Sequence, residues 1–415
     1  MSEAVTSNIA IDLPTLPKGW AYMMLGDLLE SDGLSYGVVQ PGSVDTEGVP
    51  VLRVRNVRHG NILTNEVTHV SSEIEEKHKR TRLRGGEVLL TLVGSVGEAA
   101  VVPSTLAGWN VARAIGVLRP KAEVSSHWIR MCLTTELAQH CMRSWQNETV
   151  QATLNLRDVR RLPIVMPPVG ARQAIEEILI ALEDKIALNE RLAESTRDLG
   201  FANYVAARSA ATAVDIVVSE VATVVSRGVT PRYSQDANDP LVLNQKCIRE
   251  GRVNLTPARR TAAEKVPPHK ILRQHDVLVN STGVGTLGRV AIWNWRRHST
   301  TDSHVTIVRF DETKVDPVCS GFAMLDAQAT IEAMGEGSTG QTELSRTKLG
   351  ALKLQLPRPA DCARLRPKLE ALEARGHAAL VESTALHELR EVLLPKLMSG
   401  QIRVRDAEKA AEEAL

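Results

Sequence analysis

ARQAIEEILIALEDKIALNERLAESTRDL, residues 171–199, is the stretch whose reading decides the fold. Apolar side chains recur at helical spacing, at Ile175, Leu179, Leu182 and Ile186 and again at Leu192 and Leu199. No glycine or proline interrupts them before Gly200. About 30 residues at about 1.5 Å each make a rod of roughly 45 Å. Large segments of mixed β character flank this rod, and they read as copies of each other.

The copies align at a shift of about 190 residues. YGVVQP (36–41) answers RGVTP (227–231), and VLRVRNVRHGNI (51–62) answers VLNQKCIREGRV (242–253). LRGGEVLLTLVGSVGEAAVV (83–102) answers LRQHDVLVNSTGVGTLGRVAI (272–292), and NVARAIGVLRP (110–120) answers TTDSHVTIVRF (300–310). QATLNLRDVRRLPIVMPP (151–168) answers GQTELSRTKLGALKLQLPRP (340–359). A second rod, 361–398, then follows, with Leu365, Leu372, Leu386 and Leu393 seven or fourteen residues apart and Ala379 between them. That spacing is a coiled-coil seam, and its natural partner is the first rod. Chance similarity of two β-rich stretches is the alternative; five blocks in one order at a nearly constant shift oppose it. The predicted fold class is α+β: two tandem mixed α/β domains separated by long coiled-coil helices, with an internal pseudo-twofold repeat. Two similar heads on a spacer of fixed length suit a target with two half-sites, such as duplex DNA with its repeat of about 34 Å.

A chain of 415 residues holds two or three domains. Its 43% hydrophobic and 24% charged content is that of a globular protein, and no apolar run approaches the roughly 18 residues of a membrane span. The start, MSEAVTSNIAIDLPTLPKGW, lacks the basic and apolar regions of a secretory signal, so a cytoplasmic location without membrane contact is expected. Cys132, Cys141, Cys247, Cys319 and Cys362 are scattered without a CxxC pair, which suggests neither a disulfide framework nor a zinc site. The net charge of +1 is weak support for a nucleic-acid binder. The basic residues are clustered, however, while the rods hold the acidic ones. A neutral total is thus compatible with basic faces, and equally with ordinary solvated surface.

Gly283-Val284-Gly285-Thr286-Leu287-Gly288 has the glycine spacing of a dinucleotide or S-adenosylmethionine loop. That chemistry needs a helix next, and RVAIWNW reads as a strand, so a glycine-rich hairpin turn or bulge is expected. There is no P-loop, no HExxH, no Asn- or Asp-Pro-Pro-aromatic tetrapeptide and no triad spacing among Ser, His and Asp. No catalytic residue and no metal ligand is assigned. Base reading requires Arg for guanine and Asn or Gln for adenine, with further cations for phosphate. The candidates are Arg53, Arg55, Asn56, Arg58, Arg80, Arg82, Gln151 and Asn155 in the first copy. In the second they are Arg232, Asn244, Gln245, Lys246, Arg249, Arg252, Gln341 and Arg346. The competing reading makes them exposed ends of alternating strands. Aromatic content of 3% argues against single strands held by stacking. Helix packing and partner docking fall to Ile175, Leu179, Leu182, Ile186, Leu372, Leu386 and Leu393.

LPKGW (16–20) with LGDLL (25–29), the paired blocks above, NLRDVRRLPIVMPP leading into a helix, and the ending LLPKLMSGQIRV (393–404) together resemble the DNA-specificity subunit of type I restriction-modification systems. The resemblance covers nearly the whole chain. It implies a flexible tail (1–16), a first target recognition domain (17–166), a helical spacer (167–212), a second recognition domain (213–358), a second spacer (359–404) and a C-terminal tail (405–415). It also implies a non-catalytic subunit that reads a bipartite double-stranded DNA site, one half per domain. Its helices would hold two modification (methyltransferase) subunits, and two restriction subunits where these exist. No cofactor is then expected in this chain: S-adenosylmethionine belongs to the methyltransferase and ATP to the restriction subunit. Departures are Val169-Gly170-Ala171-Arg172-Gln173, where the family often has Glu-Gln, and Pro367 inside the second rod, expected to break or delay that helix. A coiled-coil scaffold whose β-rich heads bind proteins is the alternative function.

Overall fold

A computed structural model describes residues 13–38, 47–146, 152–210, 213–336 and 342–414. It divides into two compact units, Met1–Ile186 with Thr384–Leu415, and Ala187–Ser383. Two long helices, Val169–Ser209 and Pro359–Met398, each contribute to both units.

In the first unit the central sheet is antiparallel, in the order Leu29–Tyr36, Ile115–Pro120, Val88–Thr91, Ala99–Val101. Val88–Thr91 is a continuous buried run, because both faces of the strand are covered. Successive side chains alternate between two cores. Val88, Leu90 and Leu92 meet Trp128, Ile129 and Leu133 of the helix Ser126–Thr134, whereas Leu89 meets Leu52, Val57 and Val111. A mixed three-stranded sheet (Thr68–Val70, Val49–Leu52, Asn110–Val111) lies under the second of these cores. Ala21–Met24 pairs with Pro163–Met166 and brings the end of the domain back to its start.

The second unit repeats this topology, with one further strand, Tyr233–Ser234, on its mixed sheet. Its central sheet runs Ala222–Arg227, Val305–Phe310, Val277–Asn280, Val290–Ile292. Val277 and Val279 enter one core and Leu278 the other. Leu241–Leu243 pairs with Arg259–Thr261 and, in parallel, with Ser299–Thr301; Val214–Val217 pairs with Lys353–Leu356. The tight hairpins match as well. His59-Gly60 and Glu250-Gly251 each have φ positive at both turn residues, the requirement of a type I′ turn between two strands.

The seam of the first helix keeps alternating steps of four and three residues throughout. It passes from Ile175, Leu179, Leu182 and Ile186 in the first unit to Asn189, Ala193, Thr196 and Gly200 in the second, all buried. The second helix does likewise through Cys362, Leu365, Leu369, Gly376, Ala379, Ser383, Leu386, Leu393 and Leu397. In the second unit the two helices run antiparallel. Asn189 donates to Glu382 at 2.8 Å, and Lys368 Nζ to Asn203 at 2.5 Å.

Several expectations need correction. The first helix does not stop at 199 but continues through Gly200 to Ser209. A β-carbon on Gly200 would meet Phe322 Cζ at 3.1 Å, so glycine admits an aromatic ring there. Leu199 is 51% exposed and Leu192 only half-buried; the small residues Ala193 and Thr196 take their place. Leu372 is likewise half-buried, and Leu369 is the fully buried leucine of that turn. Pro367 does not break the second helix. Leu365 and Leu369 on either side of it are buried in one core, which outweighs the roughly 3 kcal/mol of an interior proline. The helix starts at Pro359, where the absent N–H costs nothing. The C-terminal stretch is no tail: Val404–Glu412 is a helix whose Ala407 and Ala411 are buried in the first core.

Candidate nucleic-acid interface

In the second unit the turn 283–288 organises a face. It joins Val277–Asn280 to Val290–Ile292, a hairpin with no helix after it, which removes the structural context of a dinucleotide loop. Gly283, Gly285 and Gly288 have φ of 105°, 71° and 82°, conformations open to glycine. Gln245 Nε2 donates to Thr282 Oγ1 at 2.7 Å, and Thr286 Oγ1 to Gln245 Oε1 at 3.3 Å. Thr282 Oγ1 also bonds His304 Nδ1 at 2.8 Å. Arg289 closes the turn onto the Gly285 carbonyl at 2.9 Å, and the Leu344 amide donates to the Ser281 carbonyl.

This wiring brings together residues far apart in sequence. Lys246, next to Gln245, and Arg346, near Lys270, are exposed. Arg227, at the end of its strand, reaches the Leu344 carbonyl at 3.2 Å and pairs with Glu343. Lys270 Nζ donates to the Gly228 carbonyl at 2.8 Å, and burial together with the nearby Arg346 charge pulls its pKa below the usual lysine range. Among the described residues no carboxylate pairs with Lys246, Arg289 or Arg346. The result is a loop cluster with a net cationic edge, suited to phosphate.

The first unit has the corresponding parts with different side chains. Its turn 94–97 is held by Gln139 Nε2 on the Gly97 carbonyl at 2.9 Å and by the Gly94 amide on the Ala152 carbonyl at 3.1 Å. Tyr36 occupies the place of Arg227, and its hydroxyl accepts from the Leu156 amide at 3.3 Å. Arg53, Arg58, Arg113 and Arg157 are exposed.

The sequence candidates divide accordingly. Arg53, Arg58, Lys246 and Arg346 are exposed, and among the described residues no carboxylate pairs with them. Arg55 pairs with Glu66 (3.4 Å), Arg80 with Asp32 (3.3 Å), Arg232 with Glu264 (3.4 Å) and Arg249 with Glu250 (3.8 Å), all exposed pairs that an anion can displace. Arg82 is bound to Glu75 and Glu76 and ties a short helix to its neighbour. Five candidates belong to the scaffold instead. Asn56 is 2% exposed, and its amide is consumed by the Arg53 amide and the Leu63 and Asn65 carbonyls. Asn244 caps the turn Gln245–Cys247 and bonds the Pro257 carbonyl. Asn155 caps the helix Leu156–Arg160, and Gln245 braces the glycine turn. Arg252 faces the helices: its Nη2 approaches Thr196 Oγ1 at 3.4 Å, and its buried Nε and Nη1 line a cavity of about 20 Å³ with Glu373, Asn294 and His377. Gln151 and Gln341 lie outside the described residues. Arg289, Lys270, Arg227 and His304 were not among the candidates. Arg289 stands beside the glycine motif, and His304 and Arg227 lie in paired blocks of the repeat, which was the available signal; Lys270 gave none.

Both heads sit on the long helices through polar clamps. In the first unit Glu183 accepts from Arg130 (2.6 Å) and from Arg390 of the second helix (2.8 Å). In the second, Arg197 donates to the Glu250 carbonyl at 2.9 Å, and Asn294 to Glu373 at 3.1 Å. Beside Asn294 a cavity of about 320 Å³ is lined by His275, Glu370, Glu373 and His377.

Residues 17–195 match the family described as "Type I restriction modification DNA specificity domain". A curated relative, the "Type I restriction enzyme EcoBI specificity subunit" of Escherichia coli, is 28% identical over 179 residues. That match covers 41% of this chain, which spans 37% of the relative's length. Over the rest of the chain the likeness is one of fold. The crystal structure of a type I restriction-modification S subunit from M. genitalium superimposes with a TM-score of 0.59 at 12% identity, covering 93% of this chain and 98% of that one. Among the described residues no helix is long and apolar enough to cross a membrane.

Proposed function

We propose that this chain is the DNA sequence-specificity subunit of a type I restriction-modification enzyme. It reads a bipartite double-stranded site, one half through the loop face of each recognition domain. The observation that carries this reading is the duplicated topology, which repeats one loop framework and changes the side chains on it: Tyr36 for Arg227, and Arg55 for Lys246. A shared framework with different polar residues is what two unlike half-sites require. The long helices hold two methyltransferase subunits, which bring S-adenosylmethionine and modify adenine. Restriction subunits using ATP join where the system has them. The chain itself supplies recognition and no chemistry.

The test is co-expression with the neighbouring methyltransferase in a host without other adenine methylation, followed by sequencing of modified bases. A bipartite methylated motif that disappears without this chain is expected. A soluble, assembled complex that methylates no motif overturns the reading and favours a protein-binding scaffold.

A further inference from the structure

The glycine turn of the second domain ends in Val284. Its side chain is 85% exposed, more than any other large apolar side chain among the described residues. The turn beneath it is rigid: Gly283 and Gly285 take positive φ, the Thr286 and Leu287 amides bond the Gly283 carbonyl, and Arg289 and Gln245 brace either side. Lys246, next to the bracing Gln245, and Arg289, on the Gly285 carbonyl, flank the turn without carboxylate partners among the described residues, while Glu332 packs against Gly288 at its base and Glu343 is paired with Arg227. An exposed apolar tip with Lys246 and Arg289 beside it fits a surface where phosphates flank a small apolar group. In the major groove of DNA that group is the thymine 5-methyl. Valine is short and β-branched; the wedges that pry base steps apart are usually longer, such as Phe, Leu, Ile or Met.

We propose that Val284 is a specificity-determining residue that reads one thymine by contact with its methyl group, with Lys246 and Arg289 on the adjoining phosphates. The inference rests on the reading of this domain as the recogniser of one half-site. The test uses the full chain assembled with its methyltransferase and duplexes bearing the methylated motif. Each thymine is replaced in turn by deoxyuridine, which keeps the base pair and removes only the methyl. Binding is followed by fluorescence anisotropy. For the wild-type complex one replacement is expected to weaken binding about fourfold, the effect of one buried methyl group. V284A and V284S bind both duplexes alike, and their modified-base maps show relaxed preference at that position alone. Wild-type binding indifferent to every deoxyuridine, a half-site without thymine, or V284A retaining the full deoxyuridine effect overturns the inference while leaving the bipartite motif in place. Absence of any motif overturns the underlying reading instead.

Discussion

At the residue scale the seam positions distinguish packing from exposure. Leu369 is fully buried between the helices and the second domain, while Leu372, one turn later, is half-exposed. L369A is expected to lower unfolding free energy by about 2–5 kcal/mol and L372A by under about 1 kcal/mol, as measured by urea titration. Equal losses would place Leu372 in the core. Gly228 is a second sensitive point. A β-carbon there would lie 1.9 Å from the Thr301 carbonyl oxygen, and Gly37 meets the Val111 carbonyl at 2.0 Å in the same place of the first domain. Backbone on both sides leaves nothing flexible to give way. G228A is expected to cost at least about 3 kcal/mol, read from the thermal transition; a near-neutral outcome would mean the strand end relaxes.

At the element scale the junction of the second domain with the second helix is titratable. His275 Nε2 lies 3.6 Å from Glu370, and His377 stacks edge-on against Trp295 at 4.4 Å between ring centroids. Burial depresses both imidazoles below the ordinary value of about 6.5. The fold therefore favours their neutral forms: the stability they contribute is complete above about pH 6.5 and is lost as pH falls through their folded values. Burial raises the Glu373 carboxyl, which acts with the opposite sign as it takes up a proton. The melting temperature is expected to fall between pH 7.5 and 5.5, and H377Q to reduce that fall; calorimetry at both values decides. An equally steep decline in H377Q would assign the pH dependence elsewhere. The Arg130–Glu183–Arg390 clamp is also testable. E183Q leaves two guanidinium groups facing each other, one only 4% exposed. A loss of about 2 kcal/mol is expected in chemical denaturation, below the value for a fully buried pair because Glu183 is 27% exposed.

At the scale of the whole molecule the proposed function implies that the repeat makes recognition modular. R53A with R58A is expected to alter one half of the methylated motif, and K246A with R346A the other half. Each lost phosphate contact should reduce the slope of log affinity against log salt by about 1. Modified-base sequencing and salt titrations measure the two effects. A change in both halves from either pair would count against independent heads.

The helical seam through Ile186 and the internal repeat were legible in the sequence, because each depends on local periodicity or on copying. The glycine spacing at 283–288 was also correctly read as a turn, since a strand and not a helix follows it. Tertiary structure alone decided the rest. The seam beyond Ile186 passes through Asn189, Ala193, Thr196 and Gly200, whose smallness or polarity hides it from a hydrophobic pattern; their value lies in admitting Phe322 and Arg252. Asn56 and Arg252 read as surface donors until the fold buried one among carbonyls and turned the other toward Thr196. Arg227, Lys270 and Arg346 converge only because strand ends and loops separated by up to about 120 residues meet at one edge of a sheet. Residue chemistry is written in the chain, but whether a polar side chain is spent on its own scaffold or left for a ligand depends on which backbone groups the fold brings within reach.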